Sequence, residues 1–307
     1  MMNIRYGLCL LGAIALGLLM MAWLYGKESV SRRAVAVFAP LALALGWLGA
    51  RLYALLFSLL GACPSGPLFS LEPTLYAMGG AVLGVVGACA LAAKLTGSSF
   101  EVLADALAPA GMLTIALARC AEIFADFGGS RVIENGPTFF PLAVQDSLGQ
   151  WHMSVFFLEA ILAFAALAYA LNMRTSKPGE RFSLTLTFWG MTQVMCESLR
   201  GQTVNLGFIG VQQIQYIAIA LVILGIYAKI LSEKPYKKKE PIELLCWITA
   251  IECAAAVVLM EYAMDHWVLP AALDYLIMAM AACGVFVSVR LVTRRACRNE
   301  DVPWKDR

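Results

Sequence analysis

The sequence is poor in charged residues, which make up 14% of its 307 positions, whereas apolar residues make up 61%. A soluble domain typically carries about 25% charged and roughly 45–50% apolar residues. This apolar excess cannot be buried in one core, so most of the chain is expected to lie in lipid. The formal net charge of only +2 gives no basis for binding nucleic acid. The composition therefore excludes soluble enzymes, secreted modules and disordered scaffolds.

Metal ligands are also scarce. Histidine occurs only as His152 and His266, and the nine cysteines form no Cys-x-x-Cys pair. Most of these cysteines lie within apolar runs, where cysteine behaves as a small hydrophobic residue. Because a metal site needs ligands of suitable type and spacing, we expect no metal and no cofactor.

Long apolar runs dominate what remains. Each is close to the roughly 20 residues that a helix needs to cross the hydrocarbon of a bilayer. Since irregular backbone cannot satisfy its hydrogen bonds in lipid, each run is predicted to be a helix. The expected fold is an all-α, polytopic membrane bundle with helices at about 4–25, 33–60, 74–94, 100–118, 153–173, 182–200, 211–231, 243–262 and 268–292.

Lysine and arginine collect in one set of loops and in the C-terminal tail. By the positive-inside rule, this predicts an external N-terminus and a cytoplasmic C-terminus. Residues 119–152 are expected to form the longest external segment. The chain then divides into a membrane domain at 1–231, a basic cytoplasmic linker at 232–242, a helix pair at 243–292 and a basic cytoplasmic tail at 293–307.

Ionisable residues within or beside apolar runs are costly, so they are candidates for function. The predicted outer half holds Arg51, Glu72, Arg119, Glu122, Asp126, His152, Glu159, Glu197 and Arg200. On a helix, Arg119 and Glu122 share a face, because they are three residues apart. Two interpretations stay open: local ion pairs that let polar residues tolerate the membrane, or arginines that hold the phosphate of a phospholipid.

A stripe of small residues gives a second signal, at Gly79, Gly80, Gly84 and Gly87. Such stripes commonly allow two helices to pack closely. Alternatively, Gly79 and Gly80 allow a lipid headgroup to approach the backbone.

Near its start the chain has Ile4-Arg5-Tyr6-Gly7, and near the end of the second apolar run it has Gly49-Ala50-Arg51-Leu52-Tyr53. These resemble the opening tyrosine-glycine segment and the GARLY element of the prolipoprotein diacylglyceryl transferase family, whose order of elements the chain follows over about 1–231. The family's F-x-V-x-D-x-x-A-P stretch, which leads into its signature arginine, matches Phe100, Val102, Asp105, Ala108, Pro109 and then Arg119. His152, Ser154 and Glu159 resemble its H-P-S-Q-L-Y-E element, Glu197 and Arg200 its E-x-x-R, and Gln213 its M-G-Q element.

The resemblance implies seven helices with the N-terminus outside, so the last two helices are additional to the family's usual form. It also implies an enzyme of the bacterial cytoplasmic (inner) membrane. This enzyme would transfer the diacylglyceryl group of phosphatidylglycerol to the lipobox cysteine of prolipoproteins. Arg119 and Arg200 would stabilise the charge on the leaving phosphate. The implied substrate contacts are Arg119, Tyr6, Arg51, Gly79, Gly80, Glu197 and Gln213.

The chain also departs from the family pattern. Met78 stands in place of the family's histidine, and Gln193 in place of an arginine. A base would help to form the nucleophilic thiolate, and the candidates are Glu122 and His152. The alternative to a base is an unassisted thiolate fraction that attacks the lipid activated by arginine. The alternative to an active transferase is a catalytically impaired or repurposed relative that binds phospholipid or lipoprotein without transfer. A small-solute transporter is a third hypothesis, for which Glu252 and Asp274 in the last two helices are the signals.

Overall fold

The structure of the chain is a computed structural model. It describes residues 4–28, 31–59, 66–67, 69, 76–124, 132–133, 138–146, 148–173, 175, 178–199, 205–206, 209–210, 241–266 and 271–298. Within these ranges the helices are α1 Ile4–Glu28, α2 Arg32–Leu59, α3 Met78–Thr96, α4 Phe100–Ala121, α5 Val155–Asn172, α6 Glu180–Ser198, α7 Pro241–His266 and α8 Ala271–Arg298. The predicted helix at 211–231 lies outside the described residues, as do Arg200 and Gln213.

Six helices of the described part are long and apolar enough to cross a membrane, namely α1 to α5 and α8. Their outer surfaces carry large apolar side chains such as Leu8, Leu19 and Leu56, each more than half exposed. A soluble protein rarely exposes so much contiguous apolar surface, whereas lipid accepts it. The molecule is therefore a multi-pass helical membrane protein, and the predicted class is confirmed.

Helix α6 occupies the interior of this bundle although it is rich in polar residues. Fourteen of its 19 residues are buried, among them Thr187, Gln193 and Glu197. It packs against α4, α5 and α8, which separate its polar side chains from lipid. It is not among the six apolar spans because of its polar side chains. These side chains are tolerated because they face other helices and not lipid.

A buried carboxylate fixes where α6 begins. Asp105, in the second turn of α4, accepts hydrogen bonds from the backbone N–H groups of Gly179 (2.7 Å) and Phe182 (2.8 Å). Gly179 has a φ of +87°, which a residue with a side chain rarely adopts. The first turns of α4 and α6 therefore lie together, so the last turn of α6 lies at the same end of the bundle as the last turn of α4. We call this the site end.

Glycines bring α2 and α3 into close contact. A side chain at Gly80 would collide with the carbonyl oxygen of Gly49, and one at Gly84 with the carbonyl oxygen of Leu45. By contrast, the space beside Gly87 is open. Since Gly49 follows Leu45 while Gly80 precedes Gly84, the two helices run antiparallel.

The additional helices α7 and α8 pack against each other, and α8 packs against α6. Met278 of α8 shares an apolar cluster with Trp189 and Val194 of α6. The hydroxyl of Tyr275 donates to the carbonyl oxygen of Ser198, at 3.4 Å. The pair is thus joined to the helix bundle.

Two short hairpins complete the described structure. Strands β1 Ala143–Gln145 and β2 Trp151–Met153 pair antiparallel between α4 and α5. Strands β3 Asn205–Leu206 and β4 Ile209–Gly210 pair in the same way. The predicted end of the fourth helix at 118 was too early, because α4 continues to Ala121 and is followed by a 3-10 turn at Glu122–Phe124. Arg119 therefore belongs to the helix, where ion pairs compensate its charge.

Candidate functional site

Three charged side chains meet at the site end of the bundle. Arg119 forms an ion pair through Nη1 with Oε1 of Glu122, and through Nε with Oε2 of Glu159 at 2.7 Å. The side chains are 11%, 14% and 0% exposed, respectively. Charges buried this deeply require partners. Two carboxylates therefore pair with one guanidinium and restrict its orientation.

Different elements supply these groups. Arg119 lies in the last turn of α4 and Glu122 in the 3-10 turn that follows. Glu159 lies in the second turn of α5, which packs along α4. Tyr6 lies in the first turn of α1, a helix that contacts the 3-10 turn at Glu122–Phe124. Helix α1 is joined to α4 farther along, where the Thr114 hydroxyl donates to the Ala13 carbonyl oxygen at 3.4 Å.

One oxygen of the cluster has spare capacity. Oε2 of Glu122 is shielded from solvent and has no hydrogen-bond partner among the described residues. Oε1 of the same carboxylate is engaged by Arg119. An ionised carboxylate accepts through both oxygens, so Oε2 can accept a proton or a donor from a bound molecule.

Helix α6 brings further polar residues to the site end. Glu197 in its last turn is 1% exposed, and Gln193, one turn deeper on the same face, is 0% exposed. Neither side-chain polar atom of Gln193 finds a hydrogen-bond partner within the described ranges.

Other predicted site residues take part in packing between α2 and α3. Nη2 of Arg51 donates to the carbonyl oxygens of Gly66 and Pro67, the latter at 2.5 Å, and its guanidinium lies 6.0 Å from the ring centre of Tyr76. Gly79 and Gly80 are both buried near the start of α3. Close packing accounts for Gly80, and roles in substrate binding for these three residues stay predictions.

His152 lies on the hairpin between α4 and α5. Its Nε2 is 3.1 Å from Oδ2 of Asp146. Desolvation acts to raise the pKa of Asp146. Hydrogen bonds from the Gln150 N–H, the His152 ring and the Leu148 N–H outweigh it, so this pKa lies below its ordinary value. Among the described contacts, His152 thus pairs within its own hairpin.

Glu159 is the residue whose place in the site was not predicted. The sequence marks it as an acid within an apolar helix and as part of a family-like element. Nothing in the spacing links it to Arg119, forty residues earlier, because that contact depends on how α4 and α5 pack. A buried acid in the first turns of a membrane helix was the available signal.

The fold and this cluster define a class: a multi-pass helical membrane protein with a buried charged site at one end of its bundle. The family model described as prolipoprotein diacylglyceryl transferase matches residues 2–231. The chain therefore belongs to the prolipoprotein diacylglyceryl transferase family, and the resemblance is confirmed. All members of the site cluster fall within the matched range, whereas α7 and α8 lie beyond it.

Two similar proteins carry the name phosphatidylglycerol–prolipoprotein diacylglyceryl transferase. The one from Finegoldia magna is 23% identical over 238 residues, which is 76% of this chain and 93% of that protein. The one from Streptococcus uberis is 28% identical over 137 residues, or 42% of this chain and 52% of that protein. The family and these relatives support diacylglyceryl transfer in lipoprotein biogenesis.

Proposed function

We propose that this chain transfers the diacylglyceryl group of phosphatidylglycerol to the lipobox cysteine of prolipoproteins. It would act in the inner membrane of a bacterium, with its N-terminus and site end outside and its C-terminus in the cytoplasm. The observation that carries the proposal is Arg119, which the family-like part of the chain holds at the site end between Glu122 and Glu159.

The reaction forms a thioether bond between the cysteine sulfur and the terminal glycerol carbon of the diacylglyceryl group. The bond from that carbon to its phosphate oxygen breaks, and glycerol phosphate leaves with the electron pair. The leaving group gains negative charge, which preorganised cationic donors stabilise. Arg119 is one such donor, and Arg200 is proposed as a second. A guanidinium suits this role because its planar fork can donate two hydrogen bonds to phosphate.

The thiol must lose its proton before it attacks, because the thiolate is the nucleophile. Glu122 is our preferred base, since its Oε2 has no hydrogen-bond partner in the described structure and lies on the carboxylate that Arg119 holds. His152 is the second candidate, although its ring is paired with Asp146. Tyr6 and Glu197 are proposed to contact the lipid headgroup, together with Gln213.

A transfer assay tests this proposal. Purified protein in detergent is incubated with radiolabelled phosphatidylglycerol and a lipobox peptide, and label on the peptide cysteine is measured. We expect wild-type transfer, and a loss of about 10²-fold or more in Arg119→Ala, the magnitude found when one oxyanion donor is removed. Arg119→Lys keeps the positive charge but lacks the planar guanidinium, so its transfer activity should lie between those of the wild type and Arg119→Ala. Arg33→Ala, an exposed arginine at the start of α2, is the control and should behave as wild type.

The base is assigned by two further variants. Glu122→Gln should reduce transfer and leave lipid binding in place, whereas His152→Gln should have the smaller effect. The reverse order would assign the base to His152. Unchanged transfer in Arg119→Ala would refute the site. Lipid binding that depends on Arg119, without any transfer by the wild type, would identify a repurposed relative.

A further inference from the structure

The hairpin between α4 and α5 exposes a cluster of apolar side chains. Phe139 and Phe140 are each 56% exposed and Leu142 is 51% exposed. We call these three residues the hairpin patch. Single apolar residues on a surface need no explanation, but a contiguous apolar patch marks a surface that contacts protein or membrane.

The hairpin patch is fixed against the start of α5. The backbone N–H of Ser154 donates to the Leu142 carbonyl oxygen at 3.0 Å, and its hydroxyl donates to the Pro141 carbonyl oxygen. Ser154 immediately precedes Val155, the first residue of α5. The patch thus lies where a membrane-spanning helix enters the bilayer.

The hairpin patch also continues the lipid-facing side of α5. The ring centre of Phe140 lies 5.2 Å from that of Phe157. Ile161 and Phe164 follow Phe157 at helical spacing and are 50% and 39% exposed. These side chains belong to a helix apolar enough to cross the membrane. Phe140 therefore extends an apolar stripe that already faces lipid.

Charge on the hairpin does not oppose contact with lipid. Between residues 138 and 153 the ionisable side chains are Asp146 and His152, and they pair with each other. Asp146 also accepts from the backbone N–H groups of Leu148 and Gln150, at 2.9 and 2.8 Å. A paired and hydrogen-bonded charge is less costly to bring near the headgroup region than an isolated one.

From these observations we infer that the hairpin is a membrane-docking element. Its patch enters the headgroup and upper acyl region of the bilayer leaflet at the site end, beside α5. Aromatic and leucine side chains bury well at this level of a membrane, as they do in interfacial amphipathic segments. Lipid is the proposed occupant because the patch is continuous with the lipid-facing stripe of α5. This inference holds whether or not the chain catalyses transfer.

Photo-crosslinking in lipid nanodiscs tests the inference. A benzoylphenylalanine is placed in turn at Phe140, at Leu142 and at Gln145, and the chain is reconstituted with phosphatidylethanolamine and phosphatidylglycerol. Gln145 is the control: it is exposed and polar, and it lies three residues beyond Leu142, where it pairs with Trp151 and not with the residues next to the start of α5. After illumination, mass spectrometry measures lipid adducts on the hairpin peptide.

We expect severalfold more lipid adducts at Phe140 and Leu142 than at Gln145. Equal yields at the three positions, or no lipid adducts at all, would overturn the inference. The assay is repeated with a lipobox peptide present. Peptide adducts that replace the lipid adducts at Phe140 would show a peptide-docking surface, which also overturns it. Since no transfer is measured, failure here is distinct from failure of the proposed reaction.

Discussion

Removing Glu159 should destabilise the protein more than removing Glu122, although both carboxylates pair with the same arginine. Glu159 is 0% exposed, whereas the Glu122 side chain is 14% exposed at the end of α4. Breaking a buried pair by removing one partner costs about 3–5 kcal/mol, because the remaining charge loses its compensation. After Glu159→Ala, Arg119 still has Glu122, so we expect a loss of about 3 kcal/mol, at the low end of that range.

The matched change is Glu122→Ala, which leaves Arg119 with its fully buried partner. Because Arg119 keeps that partner and the Glu122 side chain is 14% exposed, we expect a loss below about 3 kcal/mol, the low end of the range for a broken buried pair. The free energy of unfolding is measured by titrating SDS into mixed micelles and following tryptophan fluorescence. The double variant Arg119→Ala/Glu159→Ala removes both members of the buried pair, and only Glu122 loses its partner. The two single changes should therefore be less than additive.

The reasoning would be refuted if Glu122→Ala cost as much stability as Glu159→Ala. It would also fail if the double variant showed purely additive losses. The order of the two variants should be reversed for transfer activity, with the larger loss in Glu122→Ala. With Glu122 as base, Glu122→Ala should lose most transfer while it loses less stability than Glu159→Ala, so the same pair of variants separates the stabilising carboxylate from the reacting one.

Two further changes test the packing that positions the site. Gly84→Ala should lower the free energy of unfolding by about 1–3 kcal/mol, because its Cβ meets the Leu45 carbonyl oxygen; Gly87→Ala, with open space beside it, should be neutral or stabilising by up to about 1 kcal/mol. Asp105→Asn should cost about 1.5–3 kcal/mol, because its carboxylate accepts from two backbone N–H groups and an amide nitrogen cannot accept. SDS titration measures the free energy of unfolding of these variants. Glu101→Gln is the control for Asp105→Asn, because the Glu101 carboxylate accepts a hydrogen bond from the neighbouring Ser99 hydroxyl and does not join two helices through it.

Much of the fold could be predicted because lipid imposes simple rules. A run of about 20 apolar residues in a bilayer has to be helical, and each described helix matches one of the predicted segments, with ends that differ by up to six residues. Arg119 and Glu122 could be paired from the sequence because a helix places residues three apart on one face. The orientation of the helices across the membrane stays a prediction.

What the sequence could not reveal are contacts between elements distant along the chain. The sequence places residues 182–200 among the apolar runs, and nothing in it tells that neighbouring helices bury the polar side chains of α6. The pairing of Arg119 with Glu159 depends on the relative rotation and depth of α4 and α5, for which apolar periodicity carries little information. The glycine stripe allowed two interpretations, and only the position of Leu45 and Gly49 opposite it favours close packing.

Two buried acids hold the charged site in place within a lipid-facing bundle. Asp105 belongs to α4, and Glu159 of α5 contacts α4. Asp105 ties the first turns of α4 to α6, and Glu159 ties the last turn of α4 to α5. Asp105 and Arg119 are about four helical turns apart, roughly 21 Å along the axis. Apolar contacts between helices are weakly directional in lipid, because the surrounding acyl chains are equally apolar. Directional polar contacts at both ends of α4 therefore fix the depth and rotation of its neighbours, and this places Glu197 of α6 and Arg119 of α4 at the same end of the bundle.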